Sequence, residues 1–228
     1  MLLHIKNVLN SEQVRLARQC LDDAGDAWVN GLVTAGYQGA PVKRNQQIDE
    51  RSDTARQLGG MILGALERHP LFISAALPLH VYPPMFNRYG EGMEFGSHVD
   101  GSIRISPQNG LKLRTDVSAT LFLADPESYD GGELQIEDTY GVQSVKLPAG
   151  DMVLYPSTSL HRVTPITRGE RVGCFLWVQS MVRDDAQRAL LFDMDNAIQQ
   201  LNATRADEIA RTRLLGCYHN LLRMWAET

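Results

Sequence analysis

The sequence predicts a mainly β fold flanked by helices, an α+β chain laid out in three zones. Apolar residues recur at helical spacing up to about residue 68, short β-rich runs alternate with turn signals from about 78 to 182, and helical spacing resumes from about 184. In the first zone Asn10 or Ser11 caps a helix with Val14, Ala17, Leu21 and Ala24 on its apolar face, ending near Gly25. A second helix over 52–68 opens at Ser52 or Asp53, carries Leu58, Met61, Ile62 and Leu66 on one side, and stops at Pro70. Between them lie Gly-rich turns and a candidate strand over 40–48, along which Lys43, Asn45 and Gln47 alternate. The middle zone holds six clear strands, at 80–88, 117–123, 132–137, 142–147, 151–155 and 171–179. Asp130-Gly131-Gly132, Thr139-Tyr140-Gly141, Pro148-Ala149-Gly150-Asp151 and Arg168-Gly169-Glu170 supply the turns, so antiparallel hairpins in a sandwich or barrel are the economical arrangement. In the last zone Leu190, Leu191, Met194, Ile198 and Leu201 share one helical face. Thr204 with Asp207 then reads as a capping box for a final helix carrying Ile209, Leu214, Leu215, Tyr218, Leu222 and Trp225. The expected division is a unit over 1–182, with its β core at about 78–182, and a helical extension over 183–228.

Composition narrows the function. The 228 residues are 43% hydrophobic and 21% charged, enough for a sizeable core, and 22 Lys plus Arg against 27 Asp plus Glu leave a net charge of −5. That balance lacks the basic footprint of a nucleic-acid binder. No window nears the roughly 18 apolar residues of a membrane span. His4, Lys6 and Asn7 interrupt the opening apolar stretch, so the expected location is the cytoplasm, with no membrane partner. Cys20, Cys174 and Cys217 are odd in number and far apart, which suggests buried or inert thiols rather than disulfides or a thiolate zinc site.

The chemistry concentrates in Phe95-Gly96-Ser97-His98-Val99-Asp100-Gly101. In near-extended chain, period two places His98 and Asp100 on one face. His161 follows 61 residues beyond Asp100 and meets the pair if the strands roll into a barrel. Two imidazoles and a carboxylate on one face of an octahedron leave open positions, the arrangement of non-haem Fe(II) oxygenases. Arg171, ten residues past His161 on the next strand, suits forked binding of a carboxylate. A zinc-dependent hydrolase would use similar ligands with a water and a base, yet has no use for that arginine. His4, His69, His80 and His219 lack a partner at ligand spacing and read as structural or exposed, and Glu133, Asp138 and Asp151 read as turn residues.

Together these motifs resemble the bacterial PKHD-type hydroxylases, relatives of prolyl and lysyl hydroxylases among the 2-oxoglutarate and Fe(II)-dependent dioxygenases. The resemblance runs over nearly the whole chain, through Asn87-Arg88-Tyr89-Gly90, the His98–Asp100 segment, Tyr129-Asp130-Gly131-Gly132-Glu133-Leu134, Leu147-Pro148-Ala149-Gly150-Asp151, Ser159-Leu160-His161-Arg162-Val163 and Arg168-Gly169-Glu170-Arg171. It implies a double-stranded β-helix, or jelly roll, with N-terminal helices and a C-terminal helical extension. It further implies that His98, Asp100 and His161 bind Fe(II) and form the catalytic set, that Arg171 holds the distal carboxylate of 2-oxoglutarate, and that Tyr89 lines the co-substrate pocket. Ser118 and Thr120 are further candidates for that carboxylate, and Lys43, Asn45 and Gln47 for substrate contacts at the barrel mouth. The implied reaction consumes O2, decarboxylates 2-oxoglutarate to succinate and CO2, and hydroxylates an unactivated C–H bond of a peptidyl, amino-acid-like or siderophore-related substrate. The resemblance also associates the chain with ascorbate as a reductant and with iron uptake. A homodimer through the helical segments, and a non-catalytic sensor of iron and 2-oxoglutarate, are the further readings.

Overall fold

The computed structural model describes residues 1–36, 39–107, 110–204 and 207–228. Helix α1 (Ser11–Asp22) opens where Asn10 accepts from the Gln13 amide while the Gln13 side chain accepts from the Asn10 amide. It ends at Asp22, and Gly25, expected as its stop, instead starts a 3-10 turn at φ 47°. Helix α2 (Asp53–Leu66) is capped by Ser52 and buries Ala55, Leu58, Ile62 and Leu66. Pro70 does more than stop it. As the first residue of a third helix, α3 (Pro70–Ala76), it sits where its missing N–H is no loss.

Strands form two main antiparallel sheets. In the larger, the order is Leu3–Ile5, Met152–Pro156, Val117–Phe122, Arg171–Ser180, Met85–Tyr89, Gln46–Ile48 and Trp28–Asn30, with Pro78–Val81 also paired to Arg171–Ser180. The second runs Gly141–Val145, Leu134–Asp138, His161–Val163, Glu94–His98 and Lys43–Arg44. Leu121, Leu154 and Leu176 of the first share one buried cluster with Leu134, Ile136 and Val163 of the second, so the sheets close over a common core. The expected strand over 80–88 is two strands. Tyr82-Pro83-Pro84 interrupts it, because consecutive prolines cannot donate to a ladder. Likewise the segment 40–48 parts at Asn45, with Lys43–Arg44 in one sheet and Gln46–Ile48 in the other.

Leu3–Ile5 is held to the larger sheet by more than its ladder. Asp151 accepts from the Asn7 amide at 2.8 Å and from His4 Nε2 at 2.7 Å, so the residue expected to be only a turn former ties down the amino terminus. Asp151→Ala is expected to lower stability by about 1–3 kcal/mol. Thermal melts would show it, and an unchanged midpoint would contradict this role.

Helices α4 (Asp185–Ala203) and α5 (Glu208–Trp225) complete the chain. Tyr218, Leu221, Leu222 and Trp225 pack with Leu77, Val182 and Leu191, which docks α5 where α3 ends. The expected capping box is corrected here: Asp207 itself caps α5, accepting from the Ile209 and Ala210 amides. The Thr204 hydroxyl bonds back to the Gln200 and Leu201 carbonyls, so Thr204 finishes α4 instead. Among the described residues, no helix is long and apolar enough to cross a membrane.

Candidate metal centre

Register decides which side chains meet. His161 lies directly opposite His98 in the antiparallel pair of their strands, with a bulge just beyond, and the two rings stand 4.2 Å apart between centroids. Around His98 the alternation holds: Ser97 and Val99 are exposed, whereas His98 and Asp100 turn inward. One ligand atom from each of His98, Asp100 and His161 lies within 4.8 Å of the others. No other such cluster of three occurs among the described residues.

Each of the three is held by a second group. His98 Nδ1 donates to the Gly96 carbonyl at 2.8 Å and His161 Nδ1 to the Ser159 carbonyl at 3.0 Å, which leaves both Nε2 lone pairs facing the cavity. His161 Nε2 is 3.8 Å from Asp100 Oδ2. That same oxygen accepts from Ser118 Oγ at 2.6 Å, and Ser118 is linked onward to Ser157 at 2.7 Å. Phe95 stacks on the His98 ring at 3.6 Å, and Tyr155 meets the His161 ring edge-on at 5.1 Å. Burial, reinforced by the neighbouring His161, holds the pKa of His98 below its ordinary value. The neutral imidazole is the form that binds metal, so two neutral nitrogens and one carboxylate fit a divalent iron. Ser118→Ala is expected to weaken Fe(II) binding about 10–100-fold by freeing the carboxylate to rotate. Metal titration would register this, and an unaltered affinity would remove Ser118 from the site.

Arg171 lies opposite Tyr89 in the larger sheet and is 1% exposed. Its guanidinium carbon is 5.4 Å from the Tyr89 ring centre and 5.3 Å from that of Phe122, yet Nε and one terminal nitrogen have no hydrogen-bond partner. Among the described residues no carboxylate is ion-paired with it. A buried charge left so is costly unless an anion arrives, and a dicarboxylate co-substrate is such an anion. Gly132 makes room: at φ 68°, a Cβ there would fall 3.1 Å from Arg171 Cδ and 2.4 Å from Ile166 Cδ1.

These groups line one cavity of about 480 Å³. The structure brings His98, Asp100, His161, Arg171 and Tyr89 to it together. Thr120 also lines it but bonds with Tyr155, and Ser118 is turned toward Asp100. Of the three alternating residues before the core, Lys43 and Gln47 reach the cavity, while Asn45 is buried beside Gly31 and does not line it. The sequence reading passed over Tyr155, Asn87, Arg104, Phe175 and Trp177, all of which line the cavity. Period-two alternation along 171–179 puts Phe175 and Trp177 on the face of Arg171, a signal that was available. Glu133 and Asp138 stay outside: Asp138 accepts from the Tyr140 amide as turn chemistry anticipates, whereas Glu133 accepts from the Thr164 hydroxyl of a distant segment and so ties two parts of the chain together.

The chain has clear likenesses among known proteins. Residues 84–179 match the 2OG-Fe(II) oxygenase superfamily and residues 185–227 match the PKHD-type hydroxylase C-terminal domain. A "PKHD-type hydroxylase" of Cupriavidus metallidurans is 73% identical over 228 residues, covering all of both chains. Among solved structures, a Pseudomonas putida prolyl-4-hydroxylase superposes with a TM-score of 0.53 at 22% identity, over 78% of this chain and 92% of that one. A Trichoplax adhaerens prolyl hydroxylase, solved with a hypoxia inducible factor peptide fragment, gives 0.56 at 18% identity, over 83% and 86%. The structural likenesses bear out the jelly-roll-like fold. A non-catalytic sensor finds no support among relatives named as hydroxylases.

Proposed function

Because this chain belongs to the PKHD-type hydroxylases of the 2OG-Fe(II) oxygenase superfamily, we propose that it hydroxylates an unactivated C–H bond of a peptidyl, amino-acid-like or siderophore-related substrate. It is a 2-oxoglutarate-dependent dioxygenase that uses Fe(II), 2-oxoglutarate and O2. In our reading His98, Asp100 and His161 hold the iron, and Arg171, over Tyr89, holds the distal carboxylate of 2-oxoglutarate. When bound, the iron and co-substrate supply the oxidising chemistry, with succinate and CO2 as the co-products. The chain's own residues bind and orient. The Gly96 and Ser159 carbonyls fix the two imidazoles, Ser118 fixes the Asp100 carboxylate, and Arg171 fixes one end of the co-substrate so that a single chelate geometry is selected. Phe95, Tyr155 and Phe122 keep water from the flanks of the site.

The observation that carries this reading over a zinc hydrolase is the buried, unpaired Arg171 guanidinium in the same cavity as the three ligands. The test is anaerobic addition of Fe(II) and 2-oxoglutarate to metal-free protein, followed in the visible for the weak charge-transfer band of a chelated keto acid. A band that bleaches in air with succinate formed is expected, and stoichiometric iron without a band would overturn the reading. Ascorbate enters it as a reductant that restores over-oxidised iron. We place the enzyme in the cytoplasm, and take residues 1–182 as the catalytic unit with 183–228 as an extension packed on it.

A further inference from the structure

Two cations that line the cavity have no task in the chemistry above. Lys43 is 7% exposed, its Nζ donates to Thr34 Oγ1 at 3.0 Å, and it stands 5.3 Å over the Phe95 ring that stacks on His98. Arg104, on the short strand Ile103–Ile105, lies 4.3 Å from the Trp177 ring centre and 5.2 Å from that of Tyr82. Neither is ion-paired among the described residues. The carboxylates whose charge reaches Lys43 are both engaged, Glu50 by the Tyr82 hydroxyl and Asp100 by Ser118. Both side chains line the same cavity, and burial, with the charge of Arg104 after it, pushes the Lys43 pKa down to about 8.

Charge accounting makes the surplus plain. The distal carboxylate of 2-oxoglutarate balances Arg171, and its other carboxylate with Asp100 balances Fe(II), which leaves Lys43 and Arg104 against Glu50 alone, one positive charge in surplus for whatever enters last. The cavity of about 480 Å³ holds far more than a small dicarboxylate fills. On the outer side Val99 and Ile103, 49% and 57% exposed, give it an apolar lip.

We propose that Lys43 and Arg104 form the substrate-recognition element of this enzyme, and that its substrate is an amphipathic molecule carrying a carboxylate or phosphate. The anionic group binds between the two cations while the apolar part lies against Val99, Ile103 and Trp177. This rests on the dioxygenase reading and deepens it by naming the substrate class.

The test uses full-length protein loaded anaerobically with Fe(II) and saturating 2-oxoglutarate, with loading verified by the visible band. Calorimetric titrations then compare N-acetyl-leucine and N-acetyl-proline with their carboxamides, and glycerol 2-phosphate with glycerol. The acids or the phosphate ester are expected to bind at least tenfold more tightly than their neutral partners, and the arm that does so identifies the anion. The preference should disappear in Lys43→Met and in Arg104→Gln and return in Lys43→Arg, with Fe(II) and 2-oxoglutarate affinities within twofold of wild type. Equal binding of charged and neutral partners, no binding of any anion, or a preference that survives both neutral variants overturns the proposal. A missing band at the loading step would overturn the dioxygenase reading itself.

Discussion

Asp100→Ala is expected to lose both iron and turnover. Its carboxylate is the only negative charge among the three proposed ligands, and its side chain is 11% exposed, bonded to Ser118 and facing His161 Nε2. Removing one charge from such a buried set costs about 3–5 kcal/mol, which is more than a hundredfold in Fe(II) affinity. The fold should persist, because the loss to the metal-free protein is one hydrogen bond to Ser118. Asp100→Asn separates charge from shape: it keeps an oxygen for Ser118 and should still lose most of the iron. Metal content after dialysis, read beside circular dichroism, decides this. Retention of stoichiometric iron by Asp100→Ala would remove Asp100 from the ligand set.

Arg171→Met should do the reverse, sparing iron and weakening 2-oxoglutarate. Truncating one partner of a buried charge pair costs about 2–5 kcal/mol, or roughly 30-fold to several thousandfold in affinity. The structure adds a second, sharper expectation. Without an anion, Arg171 is a buried guanidinium with two unpartnered nitrogens, so the ligand-free variant should be at least as stable as ligand-free wild type. Co-substrate should then stabilise wild type, by about 2.7 kcal/mol at a hundred times its dissociation constant, and the variant hardly at all. Thermal shifts with and without 2-oxoglutarate measure both. A variant that loses iron along with 2-oxoglutarate would contradict separate binding roles.

The inward pair of His98 and Asp100 was legible because alternation is a local property of one strand. That His161 lands opposite His98 was not, since sheet order follows from many distant contacts and no spacing encodes it. Arg171 could be suspected from its chemistry, but that no carboxylate among the described residues pairs with it required the packed structure. Tyr155 escaped notice because the strand Met152–Pro156 is buried along almost its whole length, and a run buried on both faces hides which one meets a cavity. Pro70 is ambiguous in sequence for a different reason: the same fixed φ that ends one helix suits the first turn of the next. The helices themselves were readable from caps and periodicity, with the Thr204 and Asp207 error arising where two helices nearly abut.

The pairing of His98 with His161 also bears on how the protein matures. These residues belong to segments joined by a long stretch of chain, and such non-local strand pairings form late because loop closure must come first. A slip of one residue in either strand would turn its imidazole to the opposite face. On the proposed ligand assignment, capacity for iron is gained only once the sheet has locked into correct alignment, so iron uptake reports that assembly is complete. Refolding followed by Fe(II) uptake would time that last step.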